Sequence, residues 1–315
     1  MKIGKGLSVL VIAYKYNDIL YALCTEEVKE ATIKKLLIVC TQGKNPTDFP
    51  AQSFFNEVRH IEYKESNIGM IHNICAIRKM RRFVESNALV TSNHILLLNK
   101  YIAKVSKATN IVLVEDGLMN YYPKSDIILT SSQKVKRYAE KFLKIKDFID
   151  INGEKRTYLL KPSLARNFIG TVCQLTIDSV LLAGLNLDSW AFVEGKSIFV
   201  GQSLYLNGVM TVEEYNRIVN EVIRKYKIDY YLPHHYATAQ EKIECPSFDL
   251  SEQEQHLTLE FVATKYDFKI FSFKSTILYS AKLLNPKVHS TMVLCEKLSE
   301  NRQILVDTVD EIIKI

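Results

Sequence analysis

The sequence predicts an α/β protein built from two doubly wound, Rossmann-like halves with a ligand cleft between them. Short apolar runs alternate with amphipathic stretches along both halves. Strands that alternate with helices call for a parallel sheet covered on both faces. A polar stretch, Asn152-Gly153-Glu154-Lys155-Arg156, interrupts the alternation near mid-chain and reads as a linker. The 315 residues also suffice for two domains of ordinary size, each with its own core. The expected domains are 1–155 and 156–315.

In chain order, Leu7 to Ala13 reads as the first strand and Lys35 to Cys40 as the second, with a helical segment between them. A helix is expected over Met70 to Glu85. Strands follow at His94 to Leu98, Asn110 to Glu115 and Ile127 to Thr130. Ser132 to Phe148 reads as a helix, with Val135, Tyr138, Phe142, Ile145 and Ile149 at helical spacing. Phe168 to Leu185 is apolar enough to be weighed as a membrane span. Gln174 and Asp178 are expensive in lipid, so a buried helix is the better reading.

The second half starts its alternation with a strand at Ser197 to Val200. Thr211 opens a helix whose apolar stripe runs from Val212 to Tyr226. Thr211-Val-Glu-Glu214 has the spacing of a capping box, which assigns Glu214 to the helix end and leaves Glu213 unused. Strands end at Pro233, Phe273 and Cys295. A helix starts at Ser275, and another closes the chain at Ile315.

Composition narrows the function classes. Apolar residues make up 47% and charged residues 24%, the balance of a folded chain. The six cysteines form no CxxC pair, which argues against a zinc ribbon or a disulfide framework. Reduced thiols and no secretory signal lead to the expectation of a cytoplasmic protein. The formal charge of +6 is mild for a nucleic-acid binder, and no stacking platform is visible. Two basic clusters stand out: Arg78, Lys79, Arg81 and Arg82, and Lys134, Lys136, Arg137, Lys141, Lys144 and Lys146. They read either as solvated helix faces or as a surface that meets anionic lipid or acidic glycan.

In doubly wound sheets ligands bind beyond the carboxyl ends of the strands. Three motifs fall there. Glu115-Asp116-Gly117 is either a turn or the paired carboxylates a general base requires. Pro233-His234-His235 is either a loop with no special role or one that offers an imidazole to a phosphate. Adjacent histidines on extended backbone point apart and rarely share a metal. Ser275-Thr276 is either a helix cap or, with the helix N-terminus, a cradle for phosphate or carboxylate. A fourth strand end, Phe199-Val-Gly201-Gln202-Ser203, provides a glycine where backbone could approach a ligand closely.

Together these motifs resemble those of the bacterial sialyltransferases. The closest look is to glycosyltransferase family 52, the lipooligosaccharide and capsule type, and the bacterial polysialyltransferases share the same motifs. The resemblance runs from about residue 110 to residue 285. It implies a GT-B fold and an inverting, metal-independent transfer without a cofactor. It also implies a CMP-sialic acid donor held mainly by the C-terminal domain, an acceptor-side N-terminal domain, and a homodimer. The family's carboxylate motif falls on Glu115, Asp116 and Gly117, its histidine on His234, and its hydroxyl pair on Ser275 and Thr276. Where the family has His-Pro this chain has His234-His235, which leaves open that His235 faces the phosphate.

The expected reaction passes sialic acid to a glycan acceptor, galactose-terminated and lipid-linked at the cytoplasmic membrane face. Asp116 is the first choice of base and Glu213 the second. Gly201, Gln202, Pro233 and His235 are expected to help hold the donor. The competing readings are the same fold with another nucleotide sugar, and a non-catalytic binding protein of polysaccharide assembly.

Overall fold

The alternating runs become two parallel sheets. The structure is a computed structural model that describes residues 7–40, 51–64, 66–122, 140–178, 181–182, 184–185, 187–206, 208–234, 239–248, 259–298 and 303–315. The chain divides into two units, Met1–Gly184 and Leu185–Ile315.

The first unit contains β1 (Ser8–Ala13), β2 (Ile33–Cys40), β3 (Glu57–Glu62), β4 (Ala88–Thr91), β5 (Asn110–Val114), β6 (Lys155–Leu159) and β7 (Thr171–Gln174). They form one sheet in the order β3-β2-β1-β4-β5-β6-β7, and every pairing is parallel. The central strands are buried on both faces, which is why Val9–Ala13 and Ile111–Val114 read as unbroken apolar runs. Helices Tyr16–Leu23, Asn67–Lys79 and Leu97–Ser106 provide the crossovers. Ile77, Val84, Ile102 and Leu98 pack on Leu10, Ile12, Leu89 and Leu113.

The second unit contains β8 (Ser197–Val200), β9 (Tyr230–Leu232), β10 (Lys269–Ser272), β11 (His289–Leu294) and β12 (Glu311–Lys314) in the order β12-β11-β10-β8-β9, also all parallel. Helix Val212–Tyr226 buries Tyr215, Ile218, Val219, Val222 and Ile223. Burial of each is worth roughly 1.5–3 kcal/mol of transfer free energy. Thr211 Oγ1 accepts from Glu214 N, as the cap requires. The Glu214 carboxylate does not close the box and instead binds Lys297 at 2.6 Å.

Several expectations need correction. The strand expected at His94–Leu98 lies earlier, at Ala88–Thr91, and Leu97–Ser106 is a helix. Asn93 Oδ1 accepts from Ile95 N and Leu96 N, which turns the chain into that helix. The helix expected over Met70–Glu85 breaks at Met80. The expected linker is the start of β6, whose Arg156 pairs with Val112 of β5. The boundary therefore falls at Gly184, not after residue 155. Within the expected buried helix Phe168–Leu185, Thr171–Gln174 is the edge strand β7. The buried Thr157 hydroxyl donates to Ile169 O and accepts from Ile169 N, so that backbone is held alongside β6. The chain closes on β12, not on a helix, because Glu311–Lys314 pairs with β11.

The expected strand Ile127–Thr130 and residues 132–139 of the next helix lie outside the described residues. That helix stops at residue 142, with Lys144 at a φ of 50°. Phe142 is 87% and Ile149 61% exposed, so neither extends a buried stripe. Among the described residues, no helix is long and apolar enough to cross a membrane.

Candidate active site

Strand order decides where a ligand can sit. In the first sheet β1 lies between β2 and β4, so the chain switches direction between β1 and β4. Such a switch opens a crevice beyond the strands' carboxyl ends. Lys15 follows β1, Ser92-Asn93-His94 follows β4, and Glu115-Asp116-Gly117 follows β5. The tertiary fold brings these three loops together.

Asp116 is the centre of the cluster. Its Oδ1 pairs with Lys15 Nζ at 2.7 Å, and its Oδ2 accepts from Asn93 Nδ2 at 3.2 Å. Its backbone N donates to Asn120 Oδ1 at 2.6 Å. Gly117 follows at a φ of 73°, which favours glycine, and starts the single turn that brings Asn120 back. The Asp116 carboxylate remains 16% exposed, at a small recess lined also by His94, Met119 and Asn167. It is held by a cation and an amide yet stays reachable, which suits a proton acceptor.

Glu115 faces the other way. It is 1% exposed, and its Oε2 accepts from Tyr121 Oη at 2.6 Å and Leu160 N at 2.9 Å. Oε1 is buried with no hydrogen-bond partner among the described residues. Burial pushes its pKa up to about 7. Glu115 therefore ties β5 to the start of the loop after β6, while Asp116 faces the recess. Asp18 is a second buried carboxyl here, accepting from Tyr14 N and Lys15 N, and burial raises its pKa as well.

In the second sheet the switch falls between β8 and β10. Gly201-Gln202-Ser203 follows β8, Pro233-His234 follows β9, and Lys274-Ser275-Thr276 follows β10. All three share one edge of the sheet. Neighbouring strands are about 4.8 Å apart, so the histidine and hydroxyl motifs, two strands apart, are separated by roughly 10 Å.

His234 Nδ1 is 3.3 Å from the buried Ser203 hydroxyl. Pro233 is exposed, and His235 lies outside the described residues. Thr276 occupies the cap position of helix Ile277–Leu284 but makes no side-chain cap. Ser275 is held through its backbone N, which donates to Phe273 O. Capping therefore does not consume either hydroxyl. Glu213 is exposed on the first turn of helix Val212–Tyr226.

One expectation changes its meaning. A Cβ on Gly201 would lie 2.4 Å from Tyr231 Oη and 3.1 Å from Tyr215 Oη. The space the glycine leaves is filled by the protein's own tyrosines, not kept for a ligand. The Gly201 and Gln202 amides are likewise spent, on Leu232 O and Tyr215 Oη.

Sequence reasoning missed Lys15, Asn93, His94 and Asn120, and named Ser203 in a strand-end motif without giving it a role. Placing the third strand six residues late hid the β4 carboxyl end, where Asn93 and His94 lie. Lys15 was legible as a strand-end residue, but only sheet order pairs it with Asp116.

The fold is shared with solved structures at low identity. UDP-GlcNAc 2-epimerase from Neisseria meningitidis, bound to UDP-GlcNAc, is 11% identical with a TM-score of 0.59, covering 95% of this chain and 85% of its own. UDP-N-acetylglucosamine 2-epimerase from Rickettsia bellii is 13% identical with a TM-score of 0.52, covering 91% and 79%. No curated protein sequence matches the chain. The family described as alpha-2,8-polysialyltransferase (POLYST) matches residues 8–293, a span that includes all three strand-end motifs. The likeness to glycosyltransferase family 52 stays at the level of motifs. With two Rossmann-like domains of the GT-B kind, the chain belongs to the alpha-2,8-polysialyltransferase family, a glycosyltransferase family of the sialyltransferase class.

Proposed function

We propose that the protein transfers sialic acid from CMP-sialic acid to a glycan hydroxyl, with inversion at the anomeric carbon. The observation that carries this reading is Asp116, a reachable carboxylate held by Lys15, Asn93 and Asn120 at a sheet switch point. Asp116 takes the proton of the acceptor hydroxyl as its oxygen bonds to the anomeric carbon. The bond from that carbon to the phosphate oxygen breaks, and CMP leaves. His234 donates to the departing phosphate, and Ser275, Thr276 and the helix N-terminus behind them hold phosphate or the sialyl carboxylate. In this reading the first domain serves the acceptor and the second the donor. Glu213, exposed and with no hydrogen bond or ion pair among the described residues, is the weaker choice of base.

The acceptor is a surface glycan of the capsule or lipooligosaccharide type, galactose-terminated in the first reading. The family match favours a second: an acceptor that already ends in sialic acid, extended through an alpha-2,8 bond. The exposed Arg78, Lys79, Arg81 and Arg82 support contact with an anionic cytoplasmic membrane face, where a lipid-linked acceptor would reside. Sedimentation with anionic vesicles at low salt checks that contact, and no binding there would remove it.

The transfer itself is tested by incubating the protein with CMP-sialic acid and either acceptor and measuring CMP release. We expect turnover with one of them, none with UDP- or GDP-sugars, and no loss in chelator. Turnover with UDP- or GDP-sugars in place of CMP-sialic acid would move the assignment to another donor. Nucleotide binding without turnover would leave a non-catalytic binding protein. Complete loss in EDTA, restored by magnesium or manganese, would overturn the metal-independent mechanism.

A further inference from the structure

The loop after β8 is built with more internal constraint than a ligand contact needs. Gln202 N donates to Tyr215 Oη at 3.1 Å, Tyr215 Oη lies 3.0 Å from Tyr231 Oη, and Tyr231 Oη donates to Glu241 Oε2 at 2.7 Å. Tyr205 Oη donates to the other oxygen, Oε1, at 2.8 Å. An amide N–H only donates and a carboxylate only accepts. Tyr231 spends its proton on Glu241, so Tyr215 must donate to Tyr231 and accept from Gln202. The chain therefore runs one way, from the loop amide to the carboxylate. Burial raises the pKa of both phenols, which keeps both protonated.

The network anchors the residue immediately before Ser203. Leu206 N donates to Ser203 O at 3.1 Å and closes the turn on the other side. Ser203 is 7% exposed, and its hydroxyl has one partner among the described residues, His234 Nδ1 at 3.3 Å. A buried hydroxyl proton needs an acceptor. Nδ1 can be that acceptor only when it carries no proton, and a neutral imidazole then carries its proton on the other nitrogen.

We infer that Ser203 is a positioning residue that holds neutral His234 in the tautomer protonated at Nε2. Nε2–H is then the group offered to the departing phosphate, which rests on the sialyl-transfer reading above. Ser203 acts through His234, and Tyr215, Tyr231 and Glu241 act through the loop that carries Ser203.

The tautomer is tested without any turnover. In protein labelled with ¹⁵N in the histidine rings, His234→Gln identifies the resonances of one histidine among seven. At a pH where the ring is neutral, we expect an unprotonated Nδ1 and a protonated Nε2 in the wild type, and loss of that preference in Ser203→Ala. A protonated Nδ1 in the wild type, or an unchanged tautomer in Ser203→Ala, overturns the inference. If the wild type shows the expected tautomer but releases no CMP from any donor and acceptor pair, the transfer reading fails and the tautomer assignment stands.

With turnover in hand, Ser203→Ala should lower kcat up to about tenfold, the scale of one hydrogen bond. KM for the donor should change little. In a His234→Ala background the same substitution should have no further effect, because a residue that acts through another is non-additive with it. Full additivity of the two losses would assign Ser203 a structural role and overturn the positioning claim.

Discussion

The two sheet edges solve different problems with the same topology. At the edge of the first sheet, the key carboxylate is already satisfied by the protein: Asp116 has Lys15, Asn93 and, through its backbone, Asn120. At the edge of the second sheet, the network of Tyr215, Tyr231 and Glu241 lies beneath the loop and holds the Gln202 amide, one residue before the Ser203–His234 pair. The hydroxyls of Ser275 and Thr276 are left out of the helix cap. In the proposed transfer Asp116 is the base, and a base that holds its geometry before the acceptor arrives needs its polar contacts made in advance. In the proposed transfer the second edge must gain contacts when the nucleotide sugar binds, and the two hydroxyls left out of the cap can supply them.

The largest effect expected from this contrast is at Asp116. Asp116→Asn keeps the contact to Asn120 and the fold but removes the proton acceptor. Turnover should drop about a hundredfold or more, with CMP binding retained. If CMP release stays near wild type, the base is Glu213, and Glu213→Gln should then show the loss.

At the second edge, one substitution should touch binding and chemistry together. His234→Ala should reduce both donor affinity and rate, by about tenfold or more in rate. His235→Ala should cost less. Kinetics that rank the two histidines the other way would show that His235 faces the phosphate.

Glu115 sharpens the contrast between adjacent carboxylates. Its folded-state pKa of about 7 lies above the ordinary 4.5. Between these values the folded state holds more protons than the unfolded chain, so stability falls as pH rises through the window. The full difference is worth about 3 kcal/mol above pH 7 and vanishes below pH 4.5. Glu115→Gln keeps an acceptor for Tyr121 and Leu160 but carries no charge. Thermal unfolding should show it more stable than wild type at pH 8, with the gap closing toward pH 5. An equal gap at both pH values would mean that the buried carboxyl is not the cause.

The smallest expected effect is at Gly201. Gly201→Ala places a methyl against Tyr231 Oη and should cost roughly 1–3 kcal/mol of stability by overpacking. Donor affinity should fall with it, because the displaced phenols carry the loop. An alanine variant of wild-type stability and affinity would return Gly201 to the role of a ligand-facing glycine.

Sequence by itself determined the class of fold and the places where chemistry could occur. β1, β2, β5, β8 and β11 were legible because long apolar runs between helical stretches have few alternatives. The strand-end positions of Asp116, His234 and Ser275 were legible because the apolar runs before them mark where β5, β9 and β10 stop. β4 and β12 were not legible: the apolar run after β4 is turned into a helix by Asn93, and Glu311–Lys314 becomes a strand only through its pairing with β11. β7 was hidden inside a longer apolar run, and only its pairing with β6 makes it a strand. That pairing also moves the domain boundary to Gly184. Tertiary structure alone decided which residues meet Asp116. Lys15 is 101 positions away and Asn93 is 23 away, and neither distance is a helical or strand repeat. They meet because crossover connections set β1 beside β4 and β4 beside β5, an order imposed by burial of the whole sheet and not by any local run of residues.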